Sequence, residues 1–81
     1  MRLVKCDVLT EGPGPSEKVV AISTSEGKEE IVLHSTALDA QGNLEVGFLG
    51  SEGNRALIEL PRESASGRWR VWVPADTLVI R

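Results

Sequence analysis

The sequence predicts an all-β protein: a small barrel of five to seven short, mostly antiparallel strands, forming a single domain over residues 1–81. Three observations predict it. Apolar and polar residues alternate in several short runs, the two-residue rhythm of a half-buried strand. Glycine, proline and asparagine clusters punctuate those runs at intervals of about eight to twelve residues, the spacing of small barrels and sandwiches. No stretch carries a helical period long enough to sustain a helix without help from packing. A barrel is preferred to a sandwich because sandwiches usually need about 100 residues.

Arg2 to Leu9 alternates, with Val4, Cys6 and Val8 on one face and Lys5 and Asp7 on the other. Thr10–Ser16 contains Gly12, Pro13, Gly14 and Pro15, a loop in which neither helix nor ladder can form. Glu17–Thr24 is rich in β-branched residues and apolar on both faces, which predicts a central or sharply curled strand. Ser25-Glu26-Gly27 reads as a turn, with Gly27 at positive φ. Lys28–His34 is the returning strand, with Ile31 and Leu33 on one face and Val32 and half-buried His34 on the other.

Ser35–Ala40 is read as a loop, with Ser35 or Thr36 able to cap one short turn, ending at Gly42-Asn43. Leu44–Leu49 presents Leu44, Val46 and Phe48 on one face, and Gly47 opposite them marks a bulge or bend. Gly50–Asn54 is a glycine-rich hairpin connection. Arg55–Leu60 places Ala56, Ile58 and Leu60 together, and Pro61 ends it. Arg62–Ser66 is a polar loop.

The last stretch organises the chain. In a strand over residues 68–73, Trp69, Val71 and Val73 face the core, while Arg68, Arg70 and Trp72 face outward. Pro74 lacks an amide proton and breaks the ladder. Ala75-Asp76-Thr77 follows as a single turn of 3₁₀ type, and Leu78–Ile80 resumes an extended run. The sequence Val73, Pro74, three residues, Leu78 resembles the end of SH3-like barrels, where such a segment joins the last two strands. The loop at 10–16 falls where those barrels carry their longest loop. The resemblance implies protein or nucleic-acid binding rather than catalysis. It does not extend to proline-rich peptides: the tyrosine-lined groove has no counterpart in a chain without tyrosine, and the early Ala-Leu-Tyr-Asp-Tyr type of segment is missing.

The charge is −3 overall and uneven. Residues 1–53 hold four cations and nine acids; residues 54–81 hold five arginines and three acids. An anion-facing surface therefore belongs to the C-terminal part. No apolar run approaches the ~18 residues of a membrane span, and no signal-peptide core follows Met1. The single Cys6 cannot form an internal disulfide, which fits a reducing compartment. The expectation is a soluble, cytoplasmic protein.

Catalytic chemistry is not expected. The only histidine, His34, has Ser35 on the opposite strand face, out of reach as a nucleophile. Cys6 lies on an apolar face and reads as an inert buried thiol. One Cys and one His make no metal site. Gly12-Pro-Gly-Pro15 lacks the lysine and helix of a phosphate loop, and Glu29-Glu30 splits across two faces. No cofactor is expected.

The candidate binding residues are Trp72, Arg68, Arg70, Pro74 and Arg55. A guanidinium lying against the indole would make a platform for a protein partner. The alternative is a nucleic-acid-binding barrel using the same arginines with Arg62. Trp72 has a structural reading too, as a plug for the barrel end with arginine stems packed over it. A monomer or weak dimer is expected, and pairing through a β edge is a further possibility.

Overall fold

The computed structural model describes all residues, Met1–Arg81. It has eight strands: β1 (Arg2–Lys5), β2 (Asp7–Glu11), β3 (Glu17–Thr24), β4 (Gly27–His34), β5 (Asn43–Glu52), β6 (Arg55–Glu59), β7 (Arg70–Pro74) and β8 (Leu78–Ile80). Two 3₁₀ turns, Ser35–Ala37 and Ala75–Thr77, complete it, and there is no α-helix. The strands form two antiparallel sheets, one ordered β7-β6-β5-β1-β8 and the other β2-β3-β4. Both contribute to one core. Val4, Leu44, Ile58 and Val73 come from the larger sheet, and Val20, Ile22, Ile31 and Leu33 from the smaller. The outline is barrel-like, but no ladder closes the ring. Where β7 meets the β3–β4 turn, a single backbone bond from the Ser25 amide to the Trp72 carbonyl joins the sheets.

Eight strands exceed the expected five to seven because the first run breaks at Cys6. Val4 and Cys6 share the core as alternation requires. The Cys6 amide, however, donates to the Gly42 carbonyl rather than to a strand. Before it the chain pairs with β5 and β8; after it, with β3. One extended run thus serves both sheets, and alternation cannot see such a transfer because the side-chain rhythm continues through it. Val8, which the rhythm places beside Cys6, is 51% exposed because β2 is an edge strand.

The thiol of Cys6 is 4% exposed, and burial, helped by the neighbouring Asp7 charge, pushes its pKa up to about 11. Thiolate is the reactive form. The folded protein is therefore expected to resist iodoacetamide at mildly alkaline pH, with modification appearing only as denaturant unfolds it. Rapid alkylation of native protein would contradict the buried position.

β3 occupies the residues expected and is the central strand of its sheet, with Val20, Ala21 and Ile22 buried. Gly27 takes φ +117° at the β3–β4 turn. The Thr24 hydroxyl closes that turn, donating to the Gly27 carbonyl and accepting from the Glu26 amide. In β5 the irregularity falls between Phe48 and Gly50, so the extra residue is Leu49, two positions after Gly47. β6 matches the expected alternation, with Ala56, Ile58 and Leu60 buried.

Phe48, expected on one face with buried Leu44 and Val46, is 40% exposed where β5 bulges. Two further expectations are corrected. Trp69 is not in the core: it is 52% exposed. β7 begins only at Arg70, so the strand expected over 68–73 starts two residues late. Trp69 lies in a bend just before it, its carbonyl accepting from the Leu60 amide where the β6–β7 ladder ends. Its parity is that of Val71 and Val73, but at the end of the ladder parity no longer decides burial. The cause lies in the preceding loop, which is fastened elsewhere: the Ala65 amide donates to the Glu30 carbonyl of β4. The second correction is His34, which is exposed rather than half-buried. Its Nδ1 accepts from the Thr36 amide at 3.2 Å and lies 2.8 Å from the Thr36 hydroxyl, so His34 itself, not Ser35 or Thr36, caps the first 3₁₀ turn.

Candidate interaction surface

The register of β6 and β7 sets Arg55 opposite Pro74, Leu57 opposite Trp72 and Glu59 opposite Arg70. Ala56, Ile58, Val71 and Val73 are buried between them in sequence. The six residues of the alternate positions therefore share the outer face of this strand pair. Diagonal neighbours on a sheet are within reach of long side chains. The Arg55 guanidinium accordingly lies over the Trp72 ring, 4.4 Å from its centroid. Trp72 is half-buried, with its backbone carbonyl held by Ser25.

Four of the five sequence candidates, Trp72, Arg55, Arg70 and Pro74, come together on this face. Arg68 does not join them, because it precedes β7. Its backbone amide donates to the Ser64 hydroxyl, and its guanidinium reaches Glu26 at the β3–β4 turn, 3.0 Å away. The cation that covers the indole is thus contributed by the neighbouring strand, not by Arg70 two positions away or Arg68 four positions away. An arginine therefore packs over Trp72, which is half-buried.

Each arginine on or beside this face has a carboxylate. Arg55 donates to Glu52 at 3.3 Å, Arg70 to Glu59 at 3.1 Å and Arg68 to Glu26. The C-terminal excess of arginine seen in the sequence is therefore matched locally by glutamates. Arg62 is likewise 3.6 Å from Glu17.

No protein family, curated protein or solved structure matches this chain.

The surface features that sequence reasoning missed are aromatic or buried polar. Trp69 is the more exposed indole, and the Arg2 guanidinium lies 4.6 Å from the Phe48 ring centroid. Glu29 accepts hydrogen bonds from Ser64, at 2.6 Å, and from Ser66. These hydroxyls, with Arg68 nearby, hold its carboxyl below the usual range. Ser64 is buried, and with Ala65 it fastens the β6–β7 loop to β4. Asp39 accepts from the backbone amides of Asn43 and Gln41, each at 2.9 Å, and from Arg81. The Asn43 amide is the chief cause of its lowered pKa. The Glu29 cluster joins residues 35 and 37 positions apart and nothing local announces it, whereas Asp39 meets Gln41 and Asn43 within four positions. No group of three His, Cys, Asp or Glu side chains converges as a metal site would require, and no helix is long and apolar enough to cross a membrane.

Proposed function

We propose that this chain is a non-enzymatic interaction module that binds a protein partner through the outer face of β6 and β7, centred on Trp72 and Arg55. The observation that carries this reading is the guanidinium stacked 4.4 Å over the indole. Arginine and tryptophan are the types most enriched at the energetic centres of protein interfaces, and here they are already ordered against one another, which lowers the entropy lost on binding. Leu57 and Pro74 adjoin the stacked pair in the register.

The ion pairs favour a protein over a nucleic acid. Phosphate binding depends on cations free to displace counterions. Arg55, Arg68 and Arg70 each already share a glutamate, so the surface is close to electrically balanced. An SH3-like fold is part of the proposal. Its support is the 3₁₀ turn at Ala75–Thr77 joining the last two strands.

The test is an affinity capture with wild-type protein and Trp72→Ala, washed at low and high salt, with a parallel titration of single- and double-stranded oligonucleotides. A partner retained at high salt by wild type and lost by Trp72→Ala is the expected result, with no oligonucleotide bound at low salt. Oligonucleotide binding that collapses as salt rises would replace this reading with the nucleic-acid one. If Trp72→Ala unfolds, Arg55→Ala removes the stacked cation from a partly exposed position. Unchanged capture by a folded Arg55→Ala would remove the stacked pair from the interface.

A further inference from the structure

Leu57 faces Trp72 across β7, and on its other side it faces the irregular part of β5. There Phe48 pairs with Ile58 and the next pair joins Gly50 to Leu57, so Leu49 and Gly50 together oppose Leu57. Two residues set against one is the arrangement of a β-bulge. Gly47 pairs with Glu59 of the outer face, and Leu49, two positions further on, shares that face. Gly50 shares it too, as the cross-strand partner of Leu57.

An apolar band of Trp72, Leu57 and Leu49 therefore crosses β7, β6 and β5. Trp72 and Leu57 are half-buried, and Leu49 is 45% exposed. Gly50 leaves a gap beside Leu49: its chain neighbours aside, no atom stands within 4 Å of the place a Cβ would take. A row of opposite charges borders the band on each side. Arg70 and Glu59 lie 3.1 Å apart in one row, Arg55 and Glu52 3.3 Å apart in the other. Glu59 and Arg55 are four positions apart in β6 with Leu57 midway, which separates the rows by about 14 Å. Each row is neutral within itself, so neither offers an unmatched charge to a ligand.

We propose that the bulge at Leu49 and Gly50 extends the Trp72 surface onto β5, and that its occupant is a single uncharged segment of a partner protein with leucine-sized apolar side chains laid along Trp72, Leu57 and Leu49. This rests on the reading of Trp72 and Arg55 given above and names the chemistry that surface recognises. Burial of apolar area supplies the affinity. A charge brought between the rows would lose its water and find every counter-charge already paired. The spacing of the rows selects the shape: a helix with its side chains is about 10–12 Å across, and an extended strand is narrower. A second copy fits less well. Laying one such face on another would take the ion pairs of both copies out of water, whereas one segment between the rows leaves them at a hydrated rim.

The experiment titrates isotope-labelled protein with an acetylated and amidated Leu-Ser-Leu peptide, and with the same peptide carrying lysine or glutamate at its centre, at low and high salt. The expected result is that the neutral peptide shifts the signals of Leu49, Gly50, Leu57 and the Trp72 indole at both salt concentrations. The charged peptides should bind more weakly, and Leu49→Ser should weaken the neutral peptide about fivefold, the share of one partly covered leucine. Tighter binding of either charged peptide would overturn the inference. Shifts at Trp72 and Arg55 that are unchanged in Leu49→Ser would overturn it too, while leaving the Trp72–Arg55 reading in place. Shifts in none of these residues would remove both. A concentration-dependent dimer that Leu49→Ser dissolves would make the occupant a second copy and overturn the inference. Should Leu49→Ser fail to fold, Gly50→Glu places a charge in the open gap and should abolish binding of the neutral peptide; full binding by that variant would count against the band.

Discussion

Ile58→Ala is expected to lower stability by about 2–5 kcal/mol, the usual cost of emptying a sealed aliphatic site. Ile58 is 0% exposed and lies in β6, paired with Phe48 and Val71 across the two neighbouring strands. Deleting its side chain removes contacts that no solvent replaces, because the core it joins is built from both sheets at once. An 81-residue domain has about 4–12 kcal/mol in total, so the loss is a large share of what exists. Urea denaturation should show a much lower midpoint with an unchanged slope. Ile80→Ala provides the contrast: the same deletion at a position 71% exposed should change stability by no more than about 0.5 kcal/mol. Similar effects from the two substitutions would mean that the core is not closed around Ile58.

Ser64→Ala is expected to cost about 1–3 kcal/mol, because one hydroxyl serves two partners: its loss strips the Arg68 amide of its acceptor and takes one of two hydroxyls from Glu29. Its oxygen accepts from the Arg68 amide at 3.1 Å, and its proton goes to Glu29. Ser64 is 5% exposed, so water reaches the site poorly. The same cluster sets a pH dependence. The Ser64 and Ser66 hydroxyls hold the Glu29 carboxyl below its ordinary value in the folded state. A depressed carboxyl contributes stability that is fully present above its unfolded pKa, about 4.3, and is lost as pH falls through the folded value. Wild type should therefore lose stability on acidification over that range, and Glu29→Gln should lose less. Urea midpoints near neutral pH and again below the ordinary glutamate range make the comparison. An identical acid response in both proteins would show that the Glu29 hydrogen bonds do not differ between the folded and unfolded states.

How far the sequence was legible follows from these two sites. Ile58 was readable because burial in a strand interior follows from alternation with Ala56 and Leu60, all within one hexapeptide. Ser64 was not readable. It sits in a polar loop, and its partner Glu29 lies 35 residues away on the other sheet. The Trp72 surface falls between these cases. Its outward direction could be read from Val71 and Val73, whereas the arginine that covers it could not, because Arg55 meets Trp72 only through the β6–β7 register. Trp69 shows the limit of a local rule. Its parity with Val71 was right, but the strand had not yet begun.

The sequence by itself determined the all-β class, the bounds of β3, the turn at Gly27, the inward positions Leu44 and Val46 of β5, the inward face of β6, and the 3₁₀ turn after Pro74. All of these depend on neighbours within a few positions, where backbone sterics and the two-residue rhythm act. The tertiary structure alone decided that the first run divides between two sheets at Cys6, that Trp69 faces solvent, and that β2 is left as an open edge. Those outcomes depend on which distant strand lies alongside, and on where a ladder runs out of partners. Such pairings are chosen by the packing of the whole core, and no window along the chain contains them.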